Sequence, residues 1–344
     1  MSTSAPRWPR ELFERFRRYD AGAGLAGLIG QWDLAEVTPR QIYYSVLGRL
    51  PEGDRALKGE AFDPAQHYRN ALSSDEFQSG ILRAILRAYP EKPRKIFIHI
   101  PKCAGTHLSQ KLDAAWPAVN FRLMDKAWTG KEALFEALHR LALRLDGADS
   151  IVAYGHLRLK WYMTQRLVRF GDQPFTVVRE PAETVLSQVN YMLTRFRDDP
   201  EFKAVDTQGW LRVLDREKVS ASLAAGDVRD LAHEILFKDA LLPRNLICDF
   251  LGAGTAQSAL ELGASAGLEL TDLPRYPQWL SERLGLEAGR PANVSHRYIG
   301  FDDLGAHERE RIRALTEEDD ILVEAVRRRL AETGRCWTPA ADLA

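Results

Sequence analysis

The chain has 344 residues, with 47 Lys and Arg against 48 Asp and Glu, a formal charge of −1. That balance gives no global field for nucleic acid or an anionic membrane, so any anion site must be built locally. Hydrophobic content of 45% and charged content of 28% suit a globular chain, with room for one large α/β domain and an appendage or two modest domains. Cys103, Cys248 and Cys336 are too widely spaced for a zinc site or a disulfide framework. The first ten residues lack the apolar core of a signal peptide, and no run has the length of a membrane span. A reducing, cytoplasmic setting is expected.

Trp8 to Tyr19 reads as a helix carrying Phe13 and Phe16, broken by Ala21-Gly22-Ala23-Gly24. Thr38-Pro39 reads as a helix start, because threonine can cap and proline suits the first turn. Ser73-Ser74-Asp75-Glu76 reads as another, leading into Phe77 to Ala88 with Ile81, Leu82, Ile85 and Leu86 on one face. Residues 1–90 are therefore a helical N-terminal extension. It reads as a packing appendage, with acceptor contact or homodimer formation as alternative uses.

From Lys95 the pattern alternates. Lys95 to Ile100 is rich in β-branched and aromatic residues and reads as a buried strand, ended by Pro101. Cys103, Ala104 and Gly105 are small, and Thr106 and His107 then open an apolar-periodic helix through Leu108 and Leu112 to Trp116-Pro117. A strand, tight turn and helix N-terminus present backbone N–H groups at the positive end of a helix dipole, where phosphates bind. Lys102 adds a charge there. The lysine precedes the turn and the Walker A spacing is absent.

Asn120 to Met124 reads as a short strand, Lys131 to Leu145 as a helix, and Ser150 to Tyr154 as a strand ending in Gly155-His156. Leu157 to Phe170 reads as an amphipathic helix, Gln173 to Arg179 as a third clear strand, and Pro181 to about Arg197 as a long helix. Strands separated by helices predict a three-layer α/β fold, with a mostly parallel central sheet and helices on both faces. Residues 200–290 read as mainly helical, clearest at Trp210 to Leu214 and Leu231 to Leu242. Thr316-Glu317-Glu318-Asp319 reads as the start of a last helix to Leu330, with solvated acids at its N-terminus and Arg327 to Arg329 at its end. The division is thus 1–90, 91–335 and a tail, 336–344.

Arg179 falls at the C-terminal end of a parallel strand, where ligands bind in such sheets, and Ser187 about two helical turns later. A guanidinium can grip a phosphate with two hydrogen bonds while a hydroxyl donates to another oxygen. His99, inside the first strand, reads as a packed histidine.

Pro101-Lys102-Cys103-Ala104-Gly105-Thr106 resembles the 5′-phosphosulfate loop of sulfotransferases, closest to the branch of heparan sulfate 2-O-sulfotransferases and bacterial carbohydrate sulfotransferases. Arg179-Glu180-Pro181 with Ser187 is similar to the family's Arg-(Asp/Glu)-Pro…Ser element, and Tyr154-Gly155-His156 resembles its Gly-His element. Pro291-Ala292-Asn293-Val294-Ser295 matches an Asn-Val-Ser element of bacterial relatives. Asp319 to Glu324 resembles the final-helix signature, with Val323 where the family has tyrosine. The resemblance covers about residues 93–330 and leaves out residues 1–90.

The resemblance implies a P-loop-like fold and a transfer from 3′-phosphoadenosine 5′-phosphosulfate that leaves adenosine 3′,5′-bisphosphate. Lys102, Cys103, Ala104, Gly105, Thr106 and His107 would form the loop around the 5′-phosphosulfate. Lys102 would neutralise the leaving oxygen, and Arg179 and Ser187 would hold the 3′-phosphate. Asn293 and Ser295 would close over the nucleotide. His156 would be the general base toward an acceptor hydroxyl, on a carbohydrate or glycan, since a neutral imidazole suits that task. No metal, nucleic acid or transmembrane segment is expected. Animal relatives carry a membrane anchor, and its lack in this chain points to a cytoplasmic, bacterial enzyme. The alternatives are a P-loop-type kinase or NTPase, and a non-catalytic nucleotide-binding protein.

Overall fold

The structure is a computed structural model that describes residues 8–52, 62–124, 131–198, 213–226, 228–252, 254–289, 297–333 and 338. In chain order its elements are α1 (Arg10–Arg15), α2 (Gly24–Ile29), α3 (Pro39–Leu47), α4 (Pro64–Leu72), α5 (Asp75–Ala88), β1 (Arg94–Ile98), α6 (Gly105–Ala115) and β2 (Ala118–Asn120). There follow α7 (Lys131–Arg144), β3 (Ile151–Gly155), α8 (Leu159–Thr164), β4 (Gln173–Val178), α9 (Pro181–Asp198), α10 (Arg216–Ala225) and α11 (Val228–Leu236). The last are α12 (Leu246–Leu251), α13 (Ala256–Ala266), β5 (Glu269–Asp272), α14 (Tyr276–Leu284) and α15 (Ala306–Thr333). The fold is α/β, with one five-stranded, all-parallel sheet in the order β2-β3-β1-β4-β5 and helices around it. Val119 pairs with Ala153 across β2 and β3, and Val177 with Thr271 across β4 and β5. Central strands of such a sheet are covered on both faces, which explains the unbroken apolar runs Ile96–Ile98 and Ile151–Ala153, all buried. Among the described residues no helix is long and apolar enough to cross a membrane.

Packing divides the chain into two compact units, residues 1–95 with 115–155, and 96–114 with 156–344. In the first, the start signals at Thr38 and Ser74 operate as read. Thr38 and Gln41 exchange the two hydrogen bonds of a capping box, and Ser74 accepts the Phe77 N–H at 3.2 Å. Phe16 stacks on Phe135 of α7 at 6.0 Å, and its carbonyl contacts His139 Nδ1 at 2.8 Å. The second unit is built around α9, whose Val189, Met192, Leu193 and Phe196 join Leu231 and Ile235 of α11 and Ile312 and Leu315 of α15.

Several elements differ from the sequence reading. The helix read over Trp8 to Tyr19 spans Arg10–Arg15 and continues as a 3-10 turn, Phe16–Arg18. The strand read at Asn120 to Met124 lies earlier, in β2, because the Asn120 side chain accepts the Arg122 N–H at 3.0 Å and turns the chain. The helix read over Leu157 to Phe170 is only α8, stopped where Arg166 adopts a left-handed φ of 52°. The helix read at Leu231 to Leu242 is α11, Val228–Leu236, whereas Trp210, Leu211 and Arg212 and the tail 336–344, but for Thr338, lie outside the described residues. A strand, β5, was hidden among the helices of 200–290. It has four residues, too few to show a period, and follows a helix that ends on Gly267 at φ 63°.

The final helix begins at Ala306 rather than near Thr316. Thr316 sits inside it, donating to the Ile312 carbonyl at 3.1 Å. Asp319 is buried, not solvated. It accepts the N–H groups of Ile247 (3.1 Å) and Cys248 (2.8 Å), while Glu318 accepts that of Ala256 (2.8 Å). The acids of α15 therefore cap α12 and α13 across the fold, satisfying first-turn donors that have no partner within their own helices.

Burial raises the Asp319 carboxyl to about 6, against 3.8 ordinarily. Between those values the folded chain binds more protons than the unfolded one, so this contribution to stability is complete at low pH and falls as pH rises through 6. Asp319→Asn is expected to abolish that slope in urea unfolding across pH 4–6 (the window of the two values). Asp319→Ala is expected to cost about 1–3 kcal/mol for each buried N–H left unpaired. An alanine variant as stable as the native chain would contradict the capping role.

Candidate active site

The side chains of this site all belong to the second unit, which begins within β1. Beyond Ile98 the chain turns at once. Ile100 N–H donates to the Ile98 carbonyl at 3.1 Å, and Cys103 N–H to the Ile100 carbonyl at 3.3 Å. Lys102 and Ala104 both take left-handed backbone conformations, φ 67° and 59°. Neither is glycine, so each costs roughly 1–2 kcal/mol. Strain of that kind clusters at ligand-binding turns.

The helix ladder of α6 starts with Leu108 N–H donating to the Ala104 carbonyl at 3.1 Å. The N–H groups of Gly105, Thr106 and His107 therefore fall in its first turn, which has no acceptor within the helix. Left-handed residues beside such a turn make a concave group of N–H donors suited to an anion. The Cys103 side chain is turned into the core, 3.9 Å from the Thr184 hydroxyl, and burial pushes its thiol up to about 12. Its side chain therefore does not face an anion in the loop, and its N–H is already given to the Ile100 carbonyl.

Gly105 is required for a different reason. Its φ is unexceptional, but a Cβ there would lie 1.7 Å from His99 Nε2. The glycine makes room for a histidine ring.

Two cations meet at the loop. Arg179, just past β4, donates from Nη1 to the Lys102 carbonyl at 3.3 Å and from Nη2 to Glu183 at 3.2 Å. The Lys102 ammonium lies 4.1 Å from the centre of the Tyr191 ring. Burial, and then the charge of Arg179, push Lys102 down to about 8. Glu183, Ser187 and Tyr191 are spaced four apart on α9 and share one face. Ser187, half-buried, thus stands on that face between the residue that holds Arg179 and the ring beneath Lys102. Glu180 turns the other way, to Arg327 at 2.7 Å.

His156 follows β3 and is exposed. Its Nε2 lies 3.2 Å from Nε2 of His99. His99 is 2% exposed and stacks on Phe97, whose ring stacks on Phe175. His107 is buried, with Nδ1 3.1 Å from the Tyr276 hydroxyl and Nε2 without a hydrogen-bond partner among the described residues. Asn293 and Ser295 lie outside the described residues.

The structure thus brings Lys102, Arg179 and the Ser187 face together, and separately joins His156 to His99. His99, Glu183 and Tyr191 are members of these groups that the sequence reading did not assign to the site. Spacing could have found two of them, since Glu183 and Tyr191 flank Ser187 by one helical turn each. The contacts suit binding of an anionic group at the loop and proton uptake at His156. Among the described residues no three His, Cys, Asp or Glu side chains form a metal-ligating group. Compared with known proteins, the chain matches no family model, no curated protein and no solved structure.

Proposed function

We propose that the chain is a sulfotransferase that moves a sulfuryl group from 3′-phosphoadenosine 5′-phosphosulfate to an acceptor hydroxyl on a carbohydrate or glycan. What carries the reading is one arrangement, a strained N–H-rich loop that bears Lys102 and is tied through its own carbonyl to Arg179. A donor with anionic groups at both its 5′ and 3′ positions asks for two cationic sites a short distance apart. The donor set fits: N–H groups and an ammonium for the 5′-phosphosulfate, a guanidinium and the Ser187 hydroxyl for the 3′-phosphate.

In this reading the exposed His156 takes the proton of the acceptor hydroxyl as its oxygen bonds to sulfur. The bond from sulfur to the phosphate oxygen breaks. Lys102 and the loop N–H groups then stabilise the charge that collects on that oxygen, in a site already preorganised for it. Asn293 and Ser295 closing over the nucleotide, a cytoplasmic setting and action without metal or nucleic acid belong to the same proposal. The carbohydrate acceptor rests on the resemblance of the Gly155-His156 element. The test is transfer of radiolabelled sulfate from the donor to a panel of glycan, lipid and phenolic acceptors, beside a parallel arm with magnesium and labelled ATP. Label on a glycan is the expected result. Phosphate transfer or ATP hydrolysis in place of sulfate transfer would overturn it.

A further inference from the structure

We infer that Arg327 of α15 is a positioning residue of the anion site, which draws the Glu180 carboxylate away from Arg179 and so leaves that guanidinium to an anionic ligand. The identity of the ligand rests on the sulfotransferase reading; the charge argument does not.

Two carboxylates follow Arg179 closely in the chain, Glu180 and Glu183. Glu183 accepts from Nη2 of Arg179 at 3.2 Å, and the Lys102 carbonyl from Nη1 at 3.3 Å. Those two bonds fix the guanidinium beside the loop. A second carboxylate on the same fork would compete for the N–H groups and the charge that an anion needs. Glu180 is the residue placed to do so. Its backbone is pinned, since its carbonyl accepts the Thr184 N–H at 2.9 Å and the Thr184 hydroxyl at 3.0 Å. Its side chain is 42% exposed and is not held by packing.

The direction of that side chain is set by α15. Arg327 Nη1 meets Glu180 Oε2 at 2.7 Å. Asp320 lies two turns earlier on the same face of the helix. It accepts the Thr316 hydroxyl at 2.9 Å. Burial raises the Asp320 carboxyl above its ordinary range, the charge of Glu180 adds to the rise, and Arg327 works against it. Glu180 therefore sits near a like charge that pushes it off α15, and Arg327 holds it there. With a neutral residue at 327 the balance reverses, and Arg179 is the next cation along the chain. A half-exposed ion pair contributes little to stability, so the value of this one lies in where it puts the carboxylate. The run Arg327 to Arg329 reads in the sequence as a complement to the end of the last helix. The helix continues to Thr333, which leaves Arg327 inside it and gives it this other use.

The test is calorimetric titration of the full chain with adenosine 3′,5′-bisphosphate and, in a parallel arm, with inorganic pyrophosphate. It compares the native protein with Arg327→Gln, Glu180→Gln and the double variant. Glutamine keeps the apolar stem of each side chain and removes the charge. Arg327→Gln is expected to weaken binding of both ligands by about 3–30-fold, in the range for coupled neighbouring charges. Glu180→Gln alone should bind at least as tightly as the native chain, and the double variant should return to within about twofold of it. Rescue by removing the carboxylate is what a role in packing α15 would not give. Equal losses in Arg327→Gln and the double variant would overturn the inference, and so would native affinity in Arg327→Gln or weakened binding in Glu180→Gln. If pyrophosphate follows the expected pattern and the bisphosphate does not bind, the sulfotransferase reading fails and the role of Arg327 stands. A native chain that binds neither ligand would overturn both.

Discussion

His156→Ala is expected to lower kcat by about 10²–10⁴, with affinity for adenosine 3′,5′-bisphosphate nearly unchanged. A general base acts on the acceptor hydroxyl only as the new bond forms, so its loss leaves donor binding alone. His156 is the exposed member of its pair, open to an incoming hydroxyl, whereas His99 is buried behind it. His107 is a poor substitute, because it is buried and its Nδ1 is held by Tyr276. Single-turnover sulfate transfer, with binding measured separately by calorimetry, distinguishes the two effects. A variant with near-native turnover would show that another group is the base.

Lys102→Met is expected to stabilise the free protein while removing most of its activity. The cause is the environment of the ammonium, driven by burial and Arg179 from an ordinary 10.5 to about 8. Between those values the unfolded chain holds more protons than the folded one. Stability from this group therefore rises with pH from about 8 to 10.5, and the penalty is complete below 8. Its upper size is on the order of 3 kcal/mol, at about 1.4 kcal/mol per pH unit. The methionine variant should gain roughly 1–3 kcal/mol at neutral pH and lose that alkaline slope in urea unfolding. Its kcat should drop about 10²–10³-fold, as when a preorganised donor to a developing oxyanion is removed. An anion in the loop restores the charge, so donor binding should take up a proton near pH 8 and weaken as pH rises further. Unchanged stability and an unchanged alkaline slope would mean that Lys102 is solvated and not held over Tyr191.

What was legible in the sequence was local. β1, the small-residue turn and the strand end at Arg179 show themselves through β-branched runs, Pro101 and Pro181, each of which acts on its neighbours. β5 did not, because four residues carry no period. Asp319 was misread for a related reason. Acids before basic residues imitate a helix start, and only tertiary packing shows that they cap two other helices from within α15. His99 reads correctly as buried, although β1 ends one residue before it. Its contact with His156 spans 57 positions and depends on how the chain returns to the sheet. Tyr191 beneath Lys102 is of the same kind, although its helical spacing from Ser187 is visible. The helix starts at Thr38 and Ser74 read correctly, yet Phe135, on which Phe16 stacks, lies on α7, beyond any local pattern.

The most direct measurement is calorimetric titration of the native chain and of Arg179→Ala with adenosine 3′,5′-bisphosphate and with adenosine 5′-phosphate. Arg179 donates to the Lys102 carbonyl and to Glu183, which places its guanidinium beside the loop. The native chain should bind the bisphosphate more tightly than the monophosphate by about 1.5–3 kcal/mol, the range for a charged hydrogen bond. Arg179→Ala should lose that difference while its affinity for the monophosphate hardly moves. Equal binding of both nucleotides by the native chain, or equal loss of both in the variant, would contradict a 3′-phosphate site at Arg179 and with it the assignment of the donor.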